Sequence, residues 1–172
     1  MNYKLIAAVS KDGGIGKQGY LPWRIKEDLA FFSKMTRGNG NNAVIMGRKT
    51  WNSLEGKHLP GRDNYILSST LDCEEEASGN VIQSFANIAT LETHIDDRKY
   101  DDVWVIGGSE IYKHYLDSIK VDTCYLTCLD QEFECDTFFP SLTRSEWKLA
   151  EVDELTTKQE FKVEIKKFTK LI

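Results

Sequence analysis

The stretch Val103-Trp104-Val105-Ile106-Gly107-Gly108-Ser109-Glu110-Ile111-Tyr112 decides the fold. Four consecutive apolar residues leave no face for water, as in a strand covered on both sides. The glycine pair ends that strand, and a helical pattern runs on to about residue 119. The same alternation recurs upstream. Leu5 to Val9 reads as a buried strand, residues 25 to 36 as a helix, and Ala43-Val44-Ile45-Met46 as a strand followed by a helix from about Lys49 to Leu54. Tyr65-Ile66-Leu67 is the next strand; Val81-Ile82 follows, then a helix from about 86 to 95. Short apolar strands alternating with helices predict an α/β protein with a mostly parallel sheet covered on both faces.

The C-terminal third changes character. Val121 to Leu129, Trp147 to Val152 and Phe161 to Phe168 read as strands with no helix between them. Phe161, Val163 and Ile165 alternate with Lys162, Glu164 and Lys166, the pattern of a strand with one wet face. The last two strands are expected to pair antiparallel at one edge. The architecture read here is three-layered: a twisted, mostly parallel sheet of about eight strands, helices on both faces and a C-terminal antiparallel hairpin, in one domain over residues 1–172. Gly38 to Asn42 and Asp72 to Asn80 read as polar surface loops.

Composition narrows the function. Of 172 residues, 41% are hydrophobic and 28% charged, as in an ordinary globular protein. The net charge of −5 argues against a nucleic-acid binder, which is usually basic. No apolar run approaches the about 20 residues that span a bilayer, and Met1 to Val9 does not read as a signal peptide, so the cytoplasm is the expected location and a monomer the expected state. Cys73, Cys124, Cys128 and Cys135 match no zinc spacing and read as reduced thiols. His58, His94 and His114 are scattered over loops and polar helix faces and read as solvated, Ser10, Ser53 and Ser68 lack a nucleophile context, and no metal is expected.

One side chain does not fit its surroundings. In Pro22-Trp23-Arg24-Ile25-Lys26-Glu27-Asp28-Leu29-Ala30-Phe31-Phe32 the apolar stripe runs through Ile25, Leu29 and Phe32, and Asp28 falls inside it. Glu27 should point the other way, toward water. A carboxylate on an apolar face must be neutral, paired or reserved for a ligand.

Three loops fall beyond the carboxyl ends of strands, where parallel sheets bind ligands. The first, Asp12 to Trp23, holds four glycines and suits a lid, although a plain connection would also fit. The second, Gly47-Arg48-Lys49-Thr50, brings two cations and a hydroxyl to a helix start. The third, Ile106-Gly107-Gly108-Ser109-Glu110, lets a diphosphate approach backbone N–H groups. Two phosphate-suited turns point to a phosphorylated dinucleotide. One buried acid, a lid and a dinucleotide site suffice for hydride transfer, whose electron chemistry belongs to the cofactor.

Taken in order, Ile6-Ala7-Ala8-Val9, Gly14-Ile15-Gly16, Leu21-Pro22-Trp23, Asp28-Leu29, Phe32, Met46-Gly47-Arg48-Lys49-Thr50-Trp51, Leu59-Pro60-Gly61-Arg62, Leu67-Ser68-Ser69, Ile106-Gly107-Gly108-Ser109-Glu110-Ile111-Tyr112 and Asp136-Thr137-Phe138-Phe139-Pro140 resemble the chromosomal dihydrofolate reductase family. The resemblance runs from about residue 3 to 140. It implies an NADPH-dependent oxidoreductase that reduces 7,8-dihydrofolate to tetrahydrofolate, feeding one-carbon metabolism for thymidylate and purine synthesis. It implies that Asp28 holds the pterin N3 and 2-amino group and favours protonation at N5, supported by Thr127, with water near Leu21 and Trp23 as the proton's route and Tyr112 close to the reacting rings.

It further implies that Ile6, Ala8, Leu29, Phe32, Leu54, Leu59 and Ile106 line the folate pocket and that Arg62 pairs with the glutamate α-carboxylate. Arg48 and Ser68 would hold the 2′-phosphate of NADPH. The remaining cofactor contacts implied are Ile15, Gly16, Gly47, Lys49, Thr50, Ser53, Leu67, Ser69, Gly107, Gly108, Ser109, Glu110 and Ile111, with Ala8 and Ile15 against the nicotinamide. The Gly107–Gly108 peptide bond would be cis, a rarity for a non-proline bond. Two other readings stand beside this one: a reductase of the same fold acting on a pyrimidine or related heterocycle, and a noncatalytic nucleotide module in which Asp28 is half of an ordinary buried ion pair.

Overall fold

The computed structural model describes residues 1–171. Its frame is a nine-stranded sheet. In chain order the strands and helices are β1 (Asn2–Val9), β2 (Gly14–Gly16), α1 (Lys26–Arg37), β3 (Ala43–Gly47), α2 (Arg48–Ser53), β4 (Asp63–Leu67), β5 (Glu74–Ala77), β6 (Asn80–Phe85), α3 (Ile88–Asp96), β7 (Asp102–Val105), α4 (Ser109–Leu116), β8 (Val121–Leu129), β9 (Thr137–Phe138), β10 (Trp147–Glu154) and β11 (Val163–Lys170). The sheet order is β10-β11-β8-β1-β7-β3-β4-β6-β5. The six central strands, β8 to β6, pair in parallel, while β11, β10 and β5 join antiparallel.

Alternation along the strands builds a core on each face. Leu5, Ala7, Ile45, Tyr65, Val103 and Val105 pack with Leu91 and Ile95 of α3 and Tyr112, Tyr115 and Leu116 of α4. Ile6, Val44, Met46, Ile66, Trp104 and Ile106 point the other way, under Phe31, Phe32 and Met35 of α1 and Trp51 and Leu54 at α2. Helices therefore cover both faces of a mostly parallel sheet, with a hairpin at the C-terminal edge.

The structure departs from the sequence reading in four places. Residues 72–80 are not a loop: Glu74–Ala77 pairs with β6 as the ninth strand, through a two-residue turn at Ser78 and Gly79, both at positive φ. Gly14–Gly16 is a short strand paired with Thr137–Phe138 rather than a free connection. Asn42, read as surface, is 3% exposed; its amide donates to the Thr36 carbonyl at 3.0 Å and its oxygen accepts from Asp102 N at 3.0 Å, tying the end of α1 to β7. His94, read as solvated, is half-buried, its ring edge-on to Tyr65. The four cysteines are free thiols. Among the described residues no helix is long and apolar enough to cross a membrane.

Candidate active site

The carboxyl ends of β1, β3 and β7 open between α1 and the β2 loop. Asp28 sits in the first turn of α1 and is 9% exposed. Its Oδ1 accepts a hydrogen bond from Thr127 Oγ1 at 2.6 Å. Thr127 lies on β8 in register with Ala8 of β1, so the strand pairing sets the hydroxyl that meets the helix. Burial pushes the Asp28 carboxyl above the ordinary carboxylate range, and the Thr127 bond pulls it partly back. Among the described residues Asp28 has no cationic partner, so the buried-ion-pair alternative does not describe it.

The stripe beside Asp28 is not fully buried. Ile25 is 2% exposed and Phe32, half-buried, packs on the core of this side of the sheet, but Leu29 is 40% exposed, so the apolar face of α1 is left open at Leu29. Glu27 is half-buried, not fully in water. Leu54 and Leu59 are likewise half-buried apolar side chains packed on the α1 side of the sheet. Ile6 and Ile106 form the floor, both buried, with Ala8 half-buried beyond Ile6. Tyr112 is buried, and its hydroxyl donates to the Ile6 carbonyl at 2.8 Å. Burial pushes this phenol well up, so it keeps its proton and ties α4 to β1 at Ile6. Trp23 is 9% exposed with its indole N–H unbonded, while Leu21 is exposed.

The two glycine turns are brought together. Gly47 N donates to the Gly107 carbonyl at 2.8 Å, and a Cβ on Gly108 would stand 3.7 Å from Thr50 Oγ1. The Gly107–Gly108 bond is cis. Ile111 packs over Gly47, leaving 3.1 Å for any Cβ there. Ser109 is half-buried; Glu110 and Lys49 are exposed. Ser53 Oγ donates to the Thr50 carbonyl at 2.6 Å, so that proton is already committed.

Beside these turns Arg48 Nη1 reaches Thr70 Oγ1 at 3.3 Å and its Nε reaches Asn52 Oδ1 at 3.1 Å. Ser68 Oγ, just beyond Leu67 at the end of β4, accepts from the backbone N–H groups of Thr70 and Leu71 at 3.2 and 3.1 Å. Ser69 is exposed. Thr70 and Asn52 were not singled out in the sequence; a hydroxyl two residues past Ser68 in a serine turn was the available signal.

At the far end of α1, Arg62 is 3% exposed. Its Nη1 donates to Thr36 Oγ1 at 2.9 Å and its Nε to the Pro60 carbonyl at 2.9 Å. Asn64, fully buried, clamps the loop by bonding the Leu59 N–H and the Leu59 and Arg62 carbonyls. Among the described residues Arg62 has no carboxylate partner; burial, then the neighbouring charge of Arg37, push it down to about 10.

The loop over the opening is tied down. Ile15 packs on the main core. Asp136 N donates to the Gly16 carbonyl at 2.9 Å, and its carboxylate accepts from Gln18 N at 2.8 Å, which lowers its pKa. Sequence reasoning found Asp136 only as part of a motif, because nothing local says which amide it will meet.

A buried acid without an ion-pair partner, a buried guanidinium and two adjoining glycine turns are thus carried by α1, the loop before β4 and the ends of β3 and β7. The dihydrofolate reductase family model matches residues 2–170. The chain is 39% identical over 155 residues to the dihydrofolate reductase of Haemophilus influenzae, an alignment covering 90% of this chain and 88% of that one. It is 35% identical over 158 residues to that of Heliothis virescens, covering 88% and 85%, and 37% identical over 152 residues to that of Drosophila melanogaster, covering 84% and 82%. The chain belongs to the dihydrofolate reductase family.

Proposed function

We propose how this chain's residues divide the family reaction, the NADPH-dependent reduction of 7,8-dihydrofolate to 5,6,7,8-tetrahydrofolate. The observation that carries the reading is the layout of α1. Asp28 and Thr36 are eight residues apart, about 12 Å along the axis. One end offers a buried acid without a counter-ion; the other holds a buried guanidinium without one. Leu29, Phe32, Leu54 and Leu59 lie between. A flat heterocycle with two adjacent N–H donors, an apolar linker and a terminal carboxylate matches that order.

In this reading Asp28 accepts from the pterin N3–H and 2-amino group, and its charge favours the N5-protonated pterin. Thr127 keeps the carboxylate aimed. Ile6, Ala8 and Ile106 shape the floor, and Tyr112 fixes it through the Ile6 carbonyl. Trp23 holds, on its unbonded indole N–H, the water from which N5 takes its proton, with Leu21 as cover. Arg62 takes the α-carboxylate, for which a planar guanidinium is suited.

The residues present fit a phosphorylated dinucleotide. Arg48, Thr70 and Ser68 form a cation-and-hydroxyl set suited to a phosphate monoester, and Gly47, Gly107 and Gly108 leave the two turns bare of side chains. Thr50, Ser109 and Lys49 would face the diphosphate, with Ala8, Ile15 and Gly16 against the nicotinamide. Leu67, Ser69, Ser53, Glu110 and Ile111 would complete the wall. The chemistry supplied there, when the cofactor is bound, is a hydride for C6 of the pterin.

The test is the absorbance of reduced nicotinamide. It should fall only when dihydrofolate and NADPH are both present. A folded protein that binds NADPH and shows no such loss would refute the assignment.

A further inference from the structure

A second arginine stands beside Arg62. Arg37 closes α1, and the Nε–Nη2 edge of its guanidinium faces Gly61: a Cβ at that glycine would stand 2.8 Å from Arg37 Nε and 2.9 Å from Nη2. Gly61 has φ +78°, so the loop both needs a glycine here and leaves a bare surface for the guanidinium. Arg37 is exposed, and among the described residues its side chain forms no hydrogen bond and no ion pair. Two guanidinium groups are thus held together without a carboxylate for either. The repulsion is felt: Arg37 helps to lower the proton affinity of Arg62. Like charges placed together are unfavourable unless an anion sits between them.

Arg37 is also in line with the opening. Leu29, Ser33 and Arg37 follow one another at i, i+4 and i+8, on one edge of α1, beside the row that carries Asp28, Phe32 and Thr36. Leu29, at the near end of this edge, is exposed to the opening, and Ser33 is half-buried. A ligand that runs from Asp28 to Arg62 therefore leaves the pocket past Arg37.

We propose that Arg37 is a specificity residue that receives the γ-carboxylate of the substrate's glutamate, while Arg62 receives the α-carboxylate. This rests on the folate reading of the site given above. The chain would then discriminate by the second carboxylate on the tail, and not only by the first.

The experiment compares two ligands that differ in one group: dihydrofolate, and its analogue in which the γ-carboxylate is an amide. Dissociation constants are read from quenching of tryptophan fluorescence at low salt, for the native chain and for Arg37→Ala, Arg37→Lys and Arg62→Ala, each checked for folding by its melting temperature. The native chain should bind the γ-amide about fivefold more weakly, the upper range for an exposed ion pair. Arg37→Ala should bind both ligands equally, and Arg37→Lys should restore part of the difference. Arg62→Ala should weaken both by a similar factor and keep their ratio. Equal binding of the two ligands by the native chain, or an unchanged ratio in Arg37→Ala, overturns the proposal for Arg37. Unchanged binding of both ligands by Arg62→Ala refutes instead the reading of the pocket on which it rests.

Discussion

Asp28 sets two opposing demands on one side chain. In the unfolded chain it ionises near 3.8; in the fold, burial raises that value. Below the unfolded value both states are protonated and burial carries no charge penalty. As pH rises through the folded value, only the folded state must bury a charge, and stability is lost. Asp28→Asn should therefore melt higher than the native chain at neutral pH, with the gain vanishing below about pH 4. The same variant should lose most of its turnover, because an amide places no negative charge beside the pterin, with partial recovery in acid, where the substrate protonates itself. Parallel melting curves and pH–rate profiles check both halves; full activity at neutral pH would contradict the role given to Asp28. Thr127→Val removes the hydrogen bond that holds the Asp28 pKa down. Its pH–rate profile should move upward, and the fold should lose about 1 kcal/mol. Asp28 was legible because a carboxylate inside an apolar stripe is a conflict visible in one dimension. Thr127 was legible only through resemblance, since the bond joins residues 99 apart.

The elements most poorly read were those whose partners are not local. Glu74-Glu75-Glu76 looked like a solvated loop, because an edge strand with both faces wet needs no apolar residue. Ser78-Gly79, with both residues at positive φ, was the signal for a tight hairpin turn. The β2 strand hid for a related reason: its glycines spell mobility, and only the fold supplies Thr137–Phe138 as a partner. Gly14 is pinned there. A Cβ would collide with the side chains of Cys135 and Ser10, and Ser10 Oγ already accepts from Gly14 N at 2.8 Å. Gly14→Ala should cost about 1–3 kcal/mol, as overpacking does, and speed amide exchange across residues 14–18 before it affects the sheet. Asp136→Ala should loosen the same segment by removing the acceptor for Gln18 N, with little change in melting temperature. Because the pKa of Asp136 is lowered by that bond, its tie is complete above the ordinary aspartate value and is lost as pH falls through the lowered one. Hydrogen exchange at neutral pH and in acid reads this directly; equal protection of residues 14–18 in native chain and Asp136→Ala would contradict it.

At the scale of the molecule, the sheet order explains why distant motifs converge. β1 pairs with β7, and β7 with β3, so the ends of three strands far apart in sequence stand side by side. Alternating apolar strands made this sheet readable, and parallel pairing then placed Asp28, Gly47 and Gly107 at one end. The Arg48–Thr70 contact was beyond reach, because the loop after β4 returns toward α2 only once β3 and β4 are paired. That convergence makes cofactor binding a property of the whole fold, and stability should report it. A ligand bound only by the native state, present at 100 times its dissociation constant, adds about 2.7 kcal/mol, which for a chain of this size raises the melting temperature by about 5–10 °C. NADPH should produce that shift. NADH, lacking the 2′-phosphate, should produce a smaller one at equal concentration. In Arg48→Ala the NADPH shift should collapse toward the NADH value while the NADH shift stays. Thr70→Ala, which removes a hydroxyl at 3.3 Å from Arg48, should lie between. If Arg48→Ala keeps the native gap between the two nucleotides, the 2′-phosphate is read by some other cation, and the site built by β3, β4 and α2 must be reassigned.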